Sequence, residues 1–271
     1  MPHHGHRIAT PTSPATSPRV PCLTSSAFFH WLLGFPDQAL ERADRAVQLA
    51  VVLQHPTSHA YAIFHSGFLH LWRREPAIVR SRALALIEIA DDHDLPIWSA
   101  IGTFLLGAAS AGLGNVEEGL SALRHGIARY QDMKTPPVFW PMLHHVLAEA
   151  YARAGRTDEG LASIDQAIAM LGEDSRAALI PEMFLVKGDL LSGCDRPAAD
   201  GPAIWYRRAL ERAAALDARM SQLRASIRLC RMPWDPDTTR NCRAELETLY
   251  ATFTEGFTTV DLAEAREQLA T

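Results

Sequence analysis

The sequence has few cysteines, and their arrangement does not suggest a metal site or a disulfide framework. Only Cys22, Cys194, Cys230 and Cys242 occur among 271 residues, and no two of them form a C-x-x-C pair. This spacing argues against a zinc ribbon and against a disulfide-stapled fold. We therefore expect reduced thiols in a cytoplasmic protein.

Strong net charge and long apolar runs are also missing. The formal net charge is −5 at pH 7, which provides no basic surface for nucleic acid or for an anionic membrane. No apolar run approaches the roughly 18 residues that a membrane-spanning helix needs. A hydrophobic content of 48% with 21% charged residues is typical of a globular protein. We expect neither a nucleic-acid partner nor a membrane partner.

Sequence motifs for catalysis and cofactor binding are absent as well. There is no G-x-x-x-x-G-K-[ST] loop for phosphates, no H-E-x-x-H zinc motif and no G-x-S-x-G nucleophile turn. His55 and His59 are four residues apart but lack a carboxylate at a ligand spacing, and the acidic run 91–94 has no EF-hand pattern. We predict no catalytic residue, no cofactor and no metal site, with an enzyme of unknown type as a minor alternative.

The N-terminal segment differs in composition from the rest of the chain. It reads "MPHHGHRIATPTSPATSPRV", rich in proline, serine, threonine and histidine, and it has no periodicity. His3, His4 and His6 could capture a metal only adventitiously, because a floppy segment does not fix ligand geometry. We divide the chain into a disordered leader (1–20), a repeat array (21–255) and a C-terminal capping helix (256–271).

Small residues recur in the repeat array at a nearly constant interval. Five of them, in apolar surroundings, follow one another at intervals of about 40 residues. These positions are Ala27, Gly67, Gly107, Ala148 and Gly188. Seven residues after three of them comes a turn glycine, and the two weaker copies have Arg74 and Asp195 at this place. The turn glycines are Gly34, Gly114 and Gly155. A fixed period of this length is the signature of a stacked repeat architecture.

The repeat unit has the properties of a helical hairpin. Pro56, Pro96 and Pro137 lie eleven residues before a small position and suit the first turn of a helix. The turn glycine can adopt a left-handed cap conformation, and an acidic residue follows in the first turn of the second helix. Strand-like alternation is almost absent. The sequence therefore predicts an all-α, right-handed α-solenoid of five to six hairpins with a period of about 40 residues.

The Leu106–Gly107 step, the glycine seven residues later and Tyr151 before Gly155 resemble the tetratricopeptide repeat, although its usual period is shorter. Longer segments are similar to the C-terminal helical-repeat region of bacterial signalling proteins. These segments include "WLLGFPDQALERADRAVQLA" and "LAEAYARAGRTDEGLASIDQAI". Such proteins join a class III adenylate/guanylate cyclase domain, or a LuxR/MalT-type DNA-binding domain, to an ATPase module and then to repeats. The resemblance covers residues 20 to 270.

The resemblance implies a sensory or regulatory module without its catalytic domains, acting on a protein or peptide partner such as a cyclase or ATPase domain. An independent adaptor that holds a peptide in its concave groove is the alternative. First helices line the concave surface of such arrays, so the candidate partner-binding residues are Tyr61, His65, His144 and Tyr151. Exposed apolar ends of the array would also allow a homodimer.

Overall fold

The computed structural model describes residues 18–133, 139–173, 175, 177–193 and 201–270. Within these residues the chain forms thirteen helices and no strand, which confirms the all-α class. The helices are α1 (Arg19–Leu32), α2 (Pro36–Val52), α3 (Pro56–Trp72), α4 (Pro76–Asp92), α5 (Pro96–Gly112), α6 (Val116–Asp132), α7 (Trp140–Arg153), α8 (Thr157–Leu171), α9 (Ile180–Ser192), α10 (Pro202–Ala215), α11 (Arg219–Cys230), α12 (Pro236–Tyr250) and α13 (Val260–Ala270). The leader histidines, Pro137, Cys194 and Asp195 lie outside the described residues.

The helices from α2 to α6 have equal lengths and begin at equal intervals along the chain. Each has 17 residues, and they begin at positions 36, 56, 76, 96 and 116. Four of the five begin with a proline, whose missing N–H costs nothing in the first helical turn. One helix therefore begins about every 20 residues, and two such helices make one hairpin of about 40 residues. The predicted period is confirmed, and six hairpins precede α13.

A three-residue turn with one left-handed residue ends each helix from α1 to α5. After α5 the N–H of Asn115 donates to the carbonyl of Ser110 at 2.9 Å and that of Gly114 to Ala111 at 3.2 Å, which is the Schellman arrangement. The left-handed residues and their φ angles are Gly34 (87°), Gln54 (51°), Arg74 (58°), Asp94 (52°) and Gly114 (97°). Gly155 (68°) repeats the turn after α7. The turn therefore recurs once per helix along this part of the chain, and glycine marks only some of its copies.

The small residues of the repeat lie where two helices approach each other closely. A Cβ atom added to Gly107 of α5 would lie 2.6 Å from the backbone nitrogen of Leu123 and 2.8 Å from the carbonyl oxygen of Gly119. One added to Gly119 of α6 would lie 2.6 Å from the nitrogen of Ala111. Gly67 and Gly188 contact side chains of the neighbouring helices, and Ala148 is fully buried. Backbone contact at this distance means that any side chain at Gly107 would force the two helices to move apart.

The two ends of the array meet. The carboxylate of Glu255, in the segment before α13, accepts hydrogen bonds from the backbone N–H groups of Asp37 (2.9 Å) and Gln38 (3.0 Å) in the first turn of α2. The side chain of Asp37 in turn accepts from the N–H of Gly256 at 2.9 Å. Helix α1 also packs against α11. Repeats of an open solenoid contact only their neighbours, whereas this array closes into one turn of a superhelix.

Candidate functional site

Closure of the array forms a cavity of about 800 Å³. Its walls come mainly from the first helices of successive hairpins, α3, α5, α7, α9 and α11, with a contribution from α13. Part of the wall is apolar: Leu71, Ala108, Leu185, Val186 and Met232. The remainder carries charges of both signs, including five arginines. The helices therefore bring ionisable side chains from distant repeats to one cavity that is partly open to solvent.

The centre of the charged wall is Arg224, which is 6% exposed. Its guanidinium group donates to Glu182 of α9 at 2.9 Å and to both carboxylate oxygens of Asp261 of α13, at 3.1 and 2.8 Å. A fourth hydrogen bond reaches the backbone carbonyl of Trp72 at the end of α3, at 2.5 Å. One side chain thus ties α11 to three other helices, one of which lies 152 residues earlier in the chain.

The buried charges in this cluster stabilise one another. Burial opposes ionisation of Glu182, but the positive charge of Arg224 and hydrogen bonds from Ser221 and Arg224 outweigh it, so the pKa of Glu182 lies below its usual value. The pKa of Asp261 is lowered in the same way, against burial, by Arg224 and Arg74. Both carboxylates are therefore ionised at neutral pH. Ionised buried groups of this kind require partners to remain in the interior.

A second ion pair lies one helical turn further along α11. Arg228 donates to both oxygens of Asp189 at 2.7 Å, which is the bidentate fork that arginine favours. Asp189 also accepts from the hydroxyl of Tyr206 at 2.9 Å. Burial and the neighbouring Asp189 charge raise the pKa of Tyr206, so this phenol stays protonated. This part of the cavity wall is consequently a continuous hydrogen-bonded network.

The four residues predicted to bind a partner do not line this cavity. The rings of Tyr61 and His65 on α3 contact each other in a tilted arrangement, with their centroids 4.3 Å apart, and burial lowers the pKa of His65 to about 4. On α7, His144 is buried and shares a 3.3 Å hydrogen bond with Ser163, while Tyr151 is 7% exposed. The cavity is lined instead by neighbouring residues along α7, such as His145. Partner binding by these four residues stays a prediction.

The charged residues of the cavity carry a signal in the sequence. Glu182 and Asp189 are seven residues apart in α9, while Arg224, Arg228 and Arg231 are spaced by four and three residues at α11. Both spacings place the charges on one helix face. Charged residues on a helix face that is otherwise apolar indicate buried pairing. The repeat pattern does not reveal these residues because they differ from one repeat to the next.

Other features of the described residues are simpler. No group of three or more histidine, cysteine, aspartate or glutamate side chains in the described ranges is arranged to hold a metal ion. None of the described helices is long and apolar enough to cross a membrane. Cys230 is buried, and burial raises the pKa of its thiol to about 11.

No protein-family model matches the chain, and no curated protein matches it either. Solved structures with a similar fold include two Rap proteins. The Rap conjugation gene regulator of the plasmid pLS20, in complex with the Phr* peptide, superposes with a TM-score of 0.63 at 14% identity, over 92% of this chain and 71% of that chain. The apo form of RapI superposes with a TM-score of 0.57 at 11% identity, over 96% of this chain and 87% of that chain.

Identities this low establish the fold alone. The chain is a tetratricopeptide-like helical-repeat protein, and the predicted solenoid is confirmed. The relationship to cyclase–ATPase and LuxR/MalT-type proteins that the sequence suggested stays a prediction.

Proposed function

We propose that this chain is a non-catalytic regulatory module that binds a peptide segment in the cavity formed by closure of the array. The observation that carries the proposal is the cavity itself. Its volume of about 800 Å³ lies within the range of ligand sites, which is roughly 300–1,000 Å³. A folded domain could not enter a space of that size, whereas a few residues of extended chain would fit.

The chemistry of the wall supports a peptide. Leu185, Val186 and Met232 provide apolar surface for side chains, and charges of both signs provide partners for polar groups. The Rap regulator with a similar fold was solved in complex with a peptide, which supports the same class of ligand here. Binding would act on the whole array, because the ion pairs of the wall join helices from distant repeats.

The finer proposal concerns what the module regulates. The resemblance to the repeat region of cyclase- and ATPase-coupled signalling proteins favours a sensory role, in which an occupied cavity changes contacts with such domains in the cytoplasm. An adaptor that joins the peptide-bearing protein to another chain is the second candidate. Neither role requires catalysis by this chain.

The proposal is tested by selecting peptides on the purified chain from a library whose members have free termini. Enriched peptides are then measured by calorimetry on the wild type and on Ala152→Phe, which places a phenyl ring at a cavity-lining position of α7. We expect at least tenfold weaker binding to this variant. Ala77→Phe, at an exposed position of α4, is the matched control and should bind like the wild type. Equal affinity for all three proteins, or no enriched peptide, would contradict the proposal.

A further inference from the structure

The arginines that line the cavity fall into two groups. Arg74, Arg224 and Arg228 are fully engaged by carboxylates. Arg74 lies 3.0 Å from Asp261 and 2.9 Å from Glu264, and the contacts of the other two range from 2.7 to 3.1 Å. These three side chains have structural partners and hold the helices together.

Arg231 and Arg153 form the second group. The only ion pair of Arg231 with a described residue is to Glu264 at 3.7 Å, too long for a hydrogen bond, and its side chain is 49% exposed. The other oxygen of Glu264 already accepts from Arg74 at 2.9 Å. Arg153, at the end of α7, is exposed and makes no hydrogen bond or ion pair with any described residue. Both guanidinium groups therefore have free donors at the cavity.

The acidic residues of the wall offer few free acceptors in return. Glu182, Asp189 and Glu264 are each bound by an arginine. Glu75 accepts a hydrogen bond from Arg73 at 3.0 Å and lies 2.5 Å from the Nδ1 atom of His70, near the end of α3. Of the described carboxylates that line the cavity, only that of Glu149 makes no hydrogen bond to a described residue, lying 3.9 Å from His145. Among the described residues of the cavity wall, two guanidinium groups therefore have free donors, those of Arg231 and Arg153, against one carboxylate without a hydrogen bond, that of Glu149.

We propose that the ligand of this cavity carries a carboxylate group and that Arg231, assisted by Arg153, binds it. The inference rests on the proposed function, because it names the chemistry of the peptide that the cavity takes. A planar guanidinium with two parallel donors matches a carboxylate in a bidentate pair. Arg231 can form that pair without breaking a hydrogen bond, since its present contact is a distant one. Met232 and Leu185 provide apolar surface in the same cavity.

The carboxylate belongs either to the C-terminus of the peptide or to an acidic side chain, and synthetic forms of an enriched peptide distinguish the two. One form is free at its C-terminus, one is amidated there, and one has each Asp or Glu replaced by Asn or Gln. We expect one of the two modified forms to bind the wild type at least tenfold more weakly than the parent. The form that loses affinity identifies the source of the carboxylate.

The same peptides are measured on Arg231→Gln, alone and combined with Arg153→Gln. The parent peptide should lose at least tenfold in affinity on the double variant, and the difference between parent and modified forms should shrink to less than threefold. Arg240→Gln, on the exposed face of α12, is the control and should leave every affinity unchanged. Equal unfolding midpoints for all variants show that folding is intact.

The outcomes separate the two proposals. If peptides bind in the cavity but neither modification weakens them, the carboxylate inference is wrong while peptide binding stands. The inference is also wrong if the modified forms lose the same affinity on the wild type and on the double variant. Failure to enrich any peptide overturns both.

Discussion

Replacing Arg224 by methionine should destabilise the folded protein, because the buried carboxylates of Glu182 and Asp261 would lose the positive charge that compensates them. Arg224 is 6% exposed and makes hydrogen bonds to Glu182 and Asp261. Methionine retains much of the apolar volume, so the main loss is electrostatic. Removing one partner of a buried ion pair costs about 3–5 kcal/mol because the remaining charge stays buried without compensation. We expect the free energy of unfolding at pH 7 to fall by that amount.

The pH dependence of this effect provides a sharper test than its size. In the wild type, the pKa values of Glu182 and Asp261 are lowered, so their contribution is present above the unfolded values near 4 and is lost as the pH falls below them. Without Arg224, Glu182 keeps the hydrogen bond from Ser221 and the smaller electrostatic effects of His145 and Arg228, and its pKa should rise above the unfolded value. The folded variant then takes up a proton between pH 7 and pH 5. The stability difference between variant and wild type should therefore narrow as the pH falls.

Urea unfolding followed by circular dichroism at pH 5, 6 and 7 measures this difference. The double variant Arg224→Met/Glu182→Gln should recover part of the loss, and its stability difference from the wild type should depend little on pH in this range. Arg240→Met breaks an exposed pair with Asp237 and should cost less than about 0.5 kcal/mol. A loss below about 1 kcal/mol for Arg224→Met, or a difference that widens at pH 5, would refute the reasoning.

Three further predictions follow from the packing. Gly107→Ala should lower the free energy of unfolding by about 1–3 kcal/mol through overpacking against helix backbone, whereas Gly193→Ala, with its nearest atom at 3.6 Å, should change it little. Gly256→Ala would place a Cβ on a carbon of Pro36 and should open the closed array, seen as a larger radius of gyration by X-ray scattering; an unchanged radius would contradict closure at this contact. Burial lowers the pKa of His65 from 6.5 to about 4, so between these pH values the unfolded chain binds a proton that the folded chain does not. This histidine should therefore lower wild-type stability by about 1–3 kcal/mol between pH 6.5 and pH 4. His65→Phe should reduce the dependence of stability on pH, as measured by urea unfolding.

The helices and their period could be predicted because they depend on local interactions. A proline in the first turn, a left-handed residue after the last turn and small residues at close contacts are all visible along the chain. The sequence does not mark every turn between helices with a glycine, because Gln54, Arg74 and Asp94 take the left-handed conformation without being glycine. Backbone hydrogen bonds of the turn accompany this conformation, from the N–H of Gln54 to Val51 and from that of Arg74 to Leu71, and these side chains do not indicate it in the sequence.

The cavity could not be predicted in the same way. The four residues chosen from the sequence lie on α3 and α7, two of the helices that line the cavity, but successive residues of a helix point about 100° apart, so neighbouring positions face different surroundings. His144 and Tyr151 are each adjacent to a residue that lines the cavity, namely His145 and Ala152.

The amino-acid sequence by itself determined that this chain builds helical hairpins of about 40 residues, since each hairpin is specified by contacts within one repeat. Only the tertiary structure decided that the array closes, because closure depends on the small rotation between repeats added over six hairpins. That sum brings Glu255 to the start of α2 and Arg224 to Trp72, 152 residues away. Charges that pair across the closure, such as Arg74 with Asp261, acquire their partners only there, and the cavity forms only there as well.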